Sequence, residues 1–115
     1  VITIVGCGGN RDKKKRPEMA RVSAERSDKV ILTSDNPRNE DPEAILDDME
    51  PGIPASKKLQ TLRISDRRSA IITGLSLAQP GDIVLIAGKG HEKYQEIKWE
   101  RHPFDDKKIA QEFLA

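Results

Sequence analysis

Residues 30–38 have the sequence VILTSDNPR, in which an apolar run passes directly into a polar turn. A continuous run of β-branched and aliphatic residues is typical of a strand that is buried on both faces. The turn that follows carries an acid, an amide and a guanidinium, in Asp35, Asn36 and Arg38. Pro37 fixes its own φ at about −65° and restricts Asn36 to extended conformations. The sequence therefore predicts a buried strand that ends in a stiff polar turn.

This turn has two interpretations. In the first, Asp35 or Asn36 bonds its own backbone in an Asx turn, which leaves Arg38 without a role. In the second, the polar groups together bind a zwitterionic ligand such as an amino acid. Composition alone favours neither interpretation.

The rest of the chain alternates predicted strands with predicted helices. Residues 83–86, with the sequence IVLI, are predicted to form the most deeply buried strand. This alternation indicates an α/β domain with a mostly parallel sheet, helices on both faces and a C-terminal hairpin. The predicted strands are 1–5, 29–33, 59–64 and 82–87, the hairpin is 94–97 with 101–104, and the predicted helices are 17–27, 42–50, 66–79 and 106–114, with caps at Asp41, Ser65 and Asp105.

Length and composition restrict the possible classes of protein. A chain of 115 residues fits one domain with its own core. A net charge of +1 gives no argument for a nucleic-acid partner, and no apolar run approaches the roughly 20 residues that cross a membrane. The single cysteine, Cys7, fits a reducing, cytoplasmic location. Because the chain starts inside a strand and lacks an initiator Met, we expect it to be a fragment of a longer protein.

Three unusual loops follow predicted strands, at residues 6–16, 34–40 and 88–92. In an open α/β sheet, such loops converge at the carboxyl edge, where ligands bind. The first loop does not match the dinucleotide fingerprint, because Arg11 occupies the third glycine position, and the chain contains no P-loop sequence. Its basic run, Lys13–Arg16, is either a solvated turn or a site for a polyanion such as nucleic acid, which is the alternative function.

Cys7 and His91 are expected at the same edge of the sheet, so a Cys–His nucleophile pair is a further hypothesis. His102 has no ligand-like neighbours in the sequence, and no metal site is predicted.

Three motifs together resemble the C-terminal domain of the Mur ligases. They are GCGGNRDKKKRP at 6–17, SDNPR at 34–38 and AGKGHEKYQ at 87–95. The resemblance covers nearly the whole chain and is strongest to the branch that adds meso-diaminopimelate during peptidoglycan synthesis.

This resemblance implies a Rossmann-like, three-layer domain, spanning residues 1–115, of a three-domain ligase. In the family, ATP phosphorylates the D-Glu side-chain carboxylate of UDP-MurNAc-L-Ala-D-Glu. The amine of the incoming amino acid then attacks the acyl phosphate, which gives an amide, ADP and phosphate. ATP and magnesium are held mainly by the central domain, which is also the partner of this domain. The resemblance therefore implies that the isolated chain has no catalytic residues and is inactive.

The resemblance also assigns site residues. The expected contacts to meso-diaminopimelate are Arg11, Asp35, Asn36, Arg38, Gly88 and Glu92. The two arginines would pair with the carboxylate distant from the reacting amine, while Glu92 and the Gly88 carbonyl would accept from the ammonium. Lys13 and Lys15 are expected near the nucleotide phosphates. Since lysine lacks the distant carboxylate, Arg38 is predicted to select diaminopimelate over lysine.

Overall fold

The structure is a computed structural model and describes residues 1–9, 12–87, 94–97, 100–103 and 106–114. Two short 3₁₀ helices lie at Glu50–Gly52 and Ala55–Gln60. The strands are β1 (Ile2–Cys7), β2 (Lys29–Ser34), β3 (Thr61–Arg63), β4 (Val84–Ala87), β5 (Tyr94–Ile97) and β6 (Glu100–Pro103), and the helices are α1 (Lys15–Arg26), α2 (Pro42–Met49), α3 (Arg67–Leu77) and α4 (Asp106–Leu114).

Four of the strands form one parallel sheet in the order β3-β2-β1-β4. The chain steps from β1 to β2 to β3 in one direction and then returns to place β4 on the other side of β1. The carboxyl ends of β1 and β4 therefore flank the topological switch point, where open α/β sheets bind their ligands. Strands β5 and β6 form a separate antiparallel hairpin, as the sequence predicts.

Helices cover both faces of the sheet, which confirms the predicted three-layer arrangement. On one face, Val5 and Leu32 pack with residues of α1 and α2, among them Ala20 and Leu46. On the other face, a second cluster joins the sheet to α3 and α4 through Ile4, Ile31, Ala70, Ile71 and Ile109. The strands β1 and β2 are buried along almost their entire length because apolar side chains point to both layers.

Local sequence explains where the helices begin. The Asp41 side chain accepts a hydrogen bond from the Glu43 backbone N–H, and Pro42 occupies the first position of α2, as predicted. Helix α3 is capped by Asp66, whose carboxylate accepts from the Ser69 N–H, and the prediction of Ser65 as the cap was wrong by one residue. The predicted cap Asp105 lies outside the described residues.

The prediction for residues 83–86 was wrong in its degree of burial. Ile83 is 64% exposed and Leu85 is 53% exposed, although Val84 and Ile86 pack against the α3 face. The reason is topological. In the four-stranded sheet, β4 is an edge strand, and α1 and α2 pack against the strands on the other side of β1. Apolar sequence identified the strand but not its place in the sheet.

Within the part of the chain that the structure describes, no helix combines the length and the apolar character needed to cross a membrane.

Candidate functional site

The predicted site lies at the carboxyl edge of the sheet. The last residues of β1 and β2, Cys7 and Ser34, are paired in register, so the loops after these strands leave the sheet side by side. Asp35 is half-buried directly after Ser34, whereas Asn36 is only 2% exposed. The polar turn is therefore built into the edge of the sheet and does not project from it.

Gly9 brings the first loop into direct contact with this turn. Its N–H donates a 2.6 Å hydrogen bond to the Asn36 carbonyl. A Cβ atom on Gly9 would lie 1.8 Å from the Pro37 carbonyl oxygen, which is far inside contact distance. Only glycine permits this approach of the two loops.

Arg38 strengthens the same contact. Its Nη1 donates to the Gly9 carbonyl at 2.9 Å and to the Asn36 carbonyl at 3.4 Å. Its backbone has a φ of 53°, which places a long side chain in the left-handed region that usually takes glycine or asparagine. Such a conformation costs about 1–2 kcal/mol, so the surrounding contacts must hold it in place. The guanidinium is consequently anchored to both loops at one nitrogen.

Arg16 forms a second tie between the two loops, and this corrects the interpretation of the basic run. Its guanidinium is buried and donates to the Gly8 carbonyl at 3.2 Å, to Glu40 at 2.9 Å and to Asp48 at 2.7 Å. Burial acts to lower the pKa of Arg16, but the hydrogen bonds that its guanidinium donates to Glu40 and Asp48, together with the charges of these carboxylates, outweigh burial and raise it. Lys13–Arg16 is therefore not a continuous basic surface, and the polyanion-binding alternative loses one of its four cations to the interior.

Lys13 and Lys15 are exposed, and their position near the nucleotide phosphates stays a prediction. A cleft of about 300 Å³ beside the turn is lined in part by Asp12, Lys15, Cys7 and Asp35. Charged groups of both signs thus face one cleft at the carboxyl edge.

On the opposite face of the sheet, a third arginine, Arg67, contacts the ends of the strands and is 1% exposed. It donates to the Ser34 carbonyl at 2.8 Å and to the Ala87 carbonyl at 3.2 Å, and it pairs with Asp106. The ends of β2 and β4 are thereby joined across β1. The sequence pattern includes Arg16 only as part of the basic run and does not single out Arg67 or Asp106.

Cys7 does not have the properties of a nucleophile. Its side chain is buried, with Sγ 3.4 Å from the Met19 sulfur. Burial raises the pKa of the thiol to about 11, the nearby Arg16 charge acts to lower it, and Asp35 acts to raise it. A protonated, buried thiol is inert at neutral pH.

Three of the predicted contact residues, Arg11, Gly88 and Glu92, lie outside the described residues, as does His91. Of the six predicted contacts, the structure therefore places Asp35, Asn36 and Arg38, and it brings these three together. Among the residues with described side chains, no three His, Cys, Asp or Glu side chains are grouped as they would be around a metal ion.

A four-stranded parallel sheet with a switch point, together with a stiff polar turn anchored at its carboxyl edge, defines an open α/β domain of the type in which ligands bind at this edge. The sequence profile described as "Mur ligase, glutamate ligase domain" matches residues 1–90. The chain belongs to the Mur ligase family and corresponds to its C-terminal domain.

Individual relatives agree with this assignment. A UDP-N-acetylmuramoyl-L-alanyl-D-glutamate–2,6-diaminopimelate ligase of Bacteroides thetaiotaomicron is 57% identical over 99% of the chain, and that of Cytophaga hutchinsonii is 56% identical over 99%. A solved structure of a ligase with the same name superposes with a TM-score of 0.92 at 50% identity and covers 98% of the chain. The chain spans 24% of the length of each of the two relatives and 23% of the solved chain.

The Gly9 contact predicts a steric effect on stability. Gly9→Ala should lower the free energy of unfolding by about 1–3 kcal/mol, because the new methyl group must push the Pro37 carbonyl away. Gly52→Ala is a matched positive control, since its Cβ would also lie 1.8 Å from a proline carbonyl oxygen, that of Pro17 in α1. Urea unfolding of the wild-type chain and of the two variants measures both effects. If Gly52→Ala lowers the free energy of unfolding and Gly9→Ala does not, the two loops do not touch in solution.

The Cys7 environment predicts slow alkylation. At pH 8, a pKa of about 11 in place of 9.0 leaves about 100-fold less thiolate in the folded chain than in the unfolded chain. Iodoacetamide should therefore modify the native protein at least that much more slowly than the urea-unfolded protein, and the native rate should rise with pH up to about 11. Native modification that matches or exceeds the unfolded rate would restore the nucleophile hypothesis.

Proposed function

We propose that this chain is the amino-acid-binding domain of an ATP-dependent ligase that adds meso-diaminopimelate to UDP-MurNAc-L-Ala-D-Glu. The observation that carries the proposal is the 55–57% identity, over 99–100% of the chain, to ligases named for that reaction in three organisms. The anchored turn at the carboxyl edge supplies the physical support.

The turn suits a ligand that carries a carboxylate and an ammonium at the same end. A guanidinium can pair with a carboxylate through two parallel N–H donors, and such bonds are about twice as strong as neutral ones. We assign the carboxylate distant from the reacting amine to Arg38, together with Arg11. Asp35 and Asn36 lie beside Arg38 and would accept from the ammonium or orient the arginine, and Gly88 and Glu92 complete the proposed set.

Selection against lysine follows from the same geometry. Lysine has no carboxylate at the distant end, so its binding would enclose the Arg38 charge without a ligand partner. Sites built to bond a polar group reject analogues that lack it by as much as about 10⁴-fold. Diaminopimelate is therefore the proposed amino acid.

The reaction itself is proposed to require the rest of the ligase. In that scheme, the central domain holds ATP and magnesium, phosphorylates the D-Glu carboxylate and receives the amino acid from this domain. The exposed Lys13 and Lys15 are proposed to lie near the nucleotide phosphates when the domains close. We also propose that the ligase works in the cytoplasm. The chain contributes binding and orientation of the attacking amine.

The role of Arg38 is tested in the full-length ligase. Arg38→Ala should lower kcat/KM for meso-diaminopimelate by about 10³-fold, because only diaminopimelate presents the second carboxylate, and it should raise the slow rate with lysine, whose binding no longer encloses an uncompensated charge. Arg21→Ala is the matched control, since Arg21 is an exposed arginine on α1 that pairs with Glu25. A wild-type enzyme that adds lysine as fast as diaminopimelate would refute the proposal.

The proposed division of labour is tested with the 115-residue chain alone. It should show no magnesium-dependent ATP turnover above a protein-free blank, because its sequence contains no G-x-x-x-x-G-K-[ST] phosphate loop. A phosphate-release assay, with the full-length ligase and its substrates as positive control, measures this. Turnover by the isolated chain would contradict the assignment of ATP to the central domain.

A further inference from the structure

Arg67 and Asp106 form a buried, two-point ion pair behind the polar turn. Arg67 Nε lies 2.8 Å from Asp106 Oδ1, and Nη2 lies 2.7 Å from Oδ2. The two residues are 1% and 6% exposed. Asp106 is the first residue of α4, where a negative charge is also favoured by the helix dipole. The pair therefore fixes the start of α4 against the start of α3.

The same guanidinium is bonded to the ends of two strands that are not neighbours. Nη1 donates to the carbonyl of Ser34, the last residue of β2, and Nη2 to that of Ala87, the last residue of β4. In the sequence, Ser34 directly precedes Asp35 and Ala87 directly precedes Gly88. Arg67 therefore acts on the backbone from which two of the proposed ligand contacts extend.

Arg67 also reaches the turn from the side. It borders a cleft of about 290 Å³ together with Ser34 and Pro37, between the beginnings of α2 and α3. Arg67 thus holds the start of the turn, at Ser34, in place. Gly9 and Arg38 hold the rest of the turn against the first loop.

The geometry requires an arginine at this position. A planar guanidinium can direct separate N–H groups at two carbonyls and a carboxylate, whereas a lysine ammonium is a point charge on a flexible stem. The arrangement also requires Asp106, since a buried cation whose partner is removed is strongly unfavourable.

We propose that Arg67, held by Asp106, is a positioning residue for the amino-acid site. It sets the separation between the Asp35–Arg38 turn and the end of β4, and so determines how well meso-diaminopimelate fits. The inference rests on the proposed function, because that function identifies the ligand. Arg67 itself is not proposed to touch the amino acid.

The test uses the full-length ligase with Arg67→Lys and, separately, Asp106→Asn. Both variants should raise KM for meso-diaminopimelate by about 10- to 100-fold, the scale expected when supporting contacts of a site are displaced by about 1 Å. KM for ATP should stay within about twofold, because the nucleotide is held by another domain in the proposed function. Melting temperatures are recorded for every variant.

Arg63→Lys is the matched control. Arg63 also sits at a strand end and bonds Glu43, Asp47 and Glu50, but these partners belong to α2 and the first 3₁₀ helix and not to the loops that follow β1, β2 or β4. It should lower the melting temperature without changing KM for meso-diaminopimelate.

Unchanged KM for meso-diaminopimelate in a folded Arg67→Lys or Asp106→Asn enzyme would overturn the inference, even if the melting temperature falls. An equal rise in the KM values for ATP and for the amino acid would also overturn it, because it would show general distortion. If Arg67→Lys does not fold, Asp106→Asn decides the question. Failure of the proposed function is seen separately, as a wild-type enzyme that does not use meso-diaminopimelate.

Discussion

The carbonyl groups at the carboxyl ends of parallel strands need hydrogen-bond partners once the sheet stops, and this constraint governs the site. In a buried edge, each unpaired carbonyl is unfavourable. Arg67 satisfies two of these carbonyls, at Ser34 and Ala87, from the core side. Arg16 satisfies the Gly8 carbonyl on the opposite face. Two buried guanidinium groups therefore close the edge of the sheet and at the same time fix the loops that leave it.

Such arginines specify geometry more than they add stability. A buried ion pair is often no more stabilising than apolar residues of similar volume, but removing one partner costs about 3–5 kcal/mol. Arg16, with Glu40 and Asp48, ties the first loop to α2, and Arg67, with Asp106, ties α3 to α4. Misplaced loops would leave a buried charge without its partner, so the alternative loop arrangements are strongly disfavoured. The contacts of Arg16 and Arg67 therefore hold the polar turn rigid, in addition to Pro37.

The fold could be predicted from sequence because local signals agreed with one another. Apolar runs predicted the strands, and Asp41 with Pro42 predicted the start of α2. The alternation of strands with helices predicted the parallel sheet. The predicted burial of β4 was too high because β4 lies at the edge of the sheet, and the order of strands in a sheet cannot be read from one strand's sequence. Arg16 was predicted only as part of a basic run, either solvated or polyanion-binding, because its carboxylate partners lie 24 and 32 residues away. Arg67 and Asp106 are separated by 39 residues. One signal was present: α3 begins with Arg67 and Arg68, at the helix end that disfavours cations, which points to acidic partners elsewhere in the chain.

The left-handed backbone at Arg38 connects this architecture to specificity. Glycine would occupy a φ of 53° without the steric penalty of a side chain, and it would still allow the loops to meet through the Gly9 N–H. An arginine in that conformation is therefore not explained by the turn itself. What it adds is a guanidinium anchored to backbone carbonyls of both loops, in a fixed position at the carboxyl edge. Strained residues of this kind are typical of ligand-binding sites, where surrounding contacts hold a conformation that the residue would not adopt alone. The strain at Arg38 is held by the hydrogen bonds that its guanidinium makes to both loops, and it agrees with the binding role proposed above.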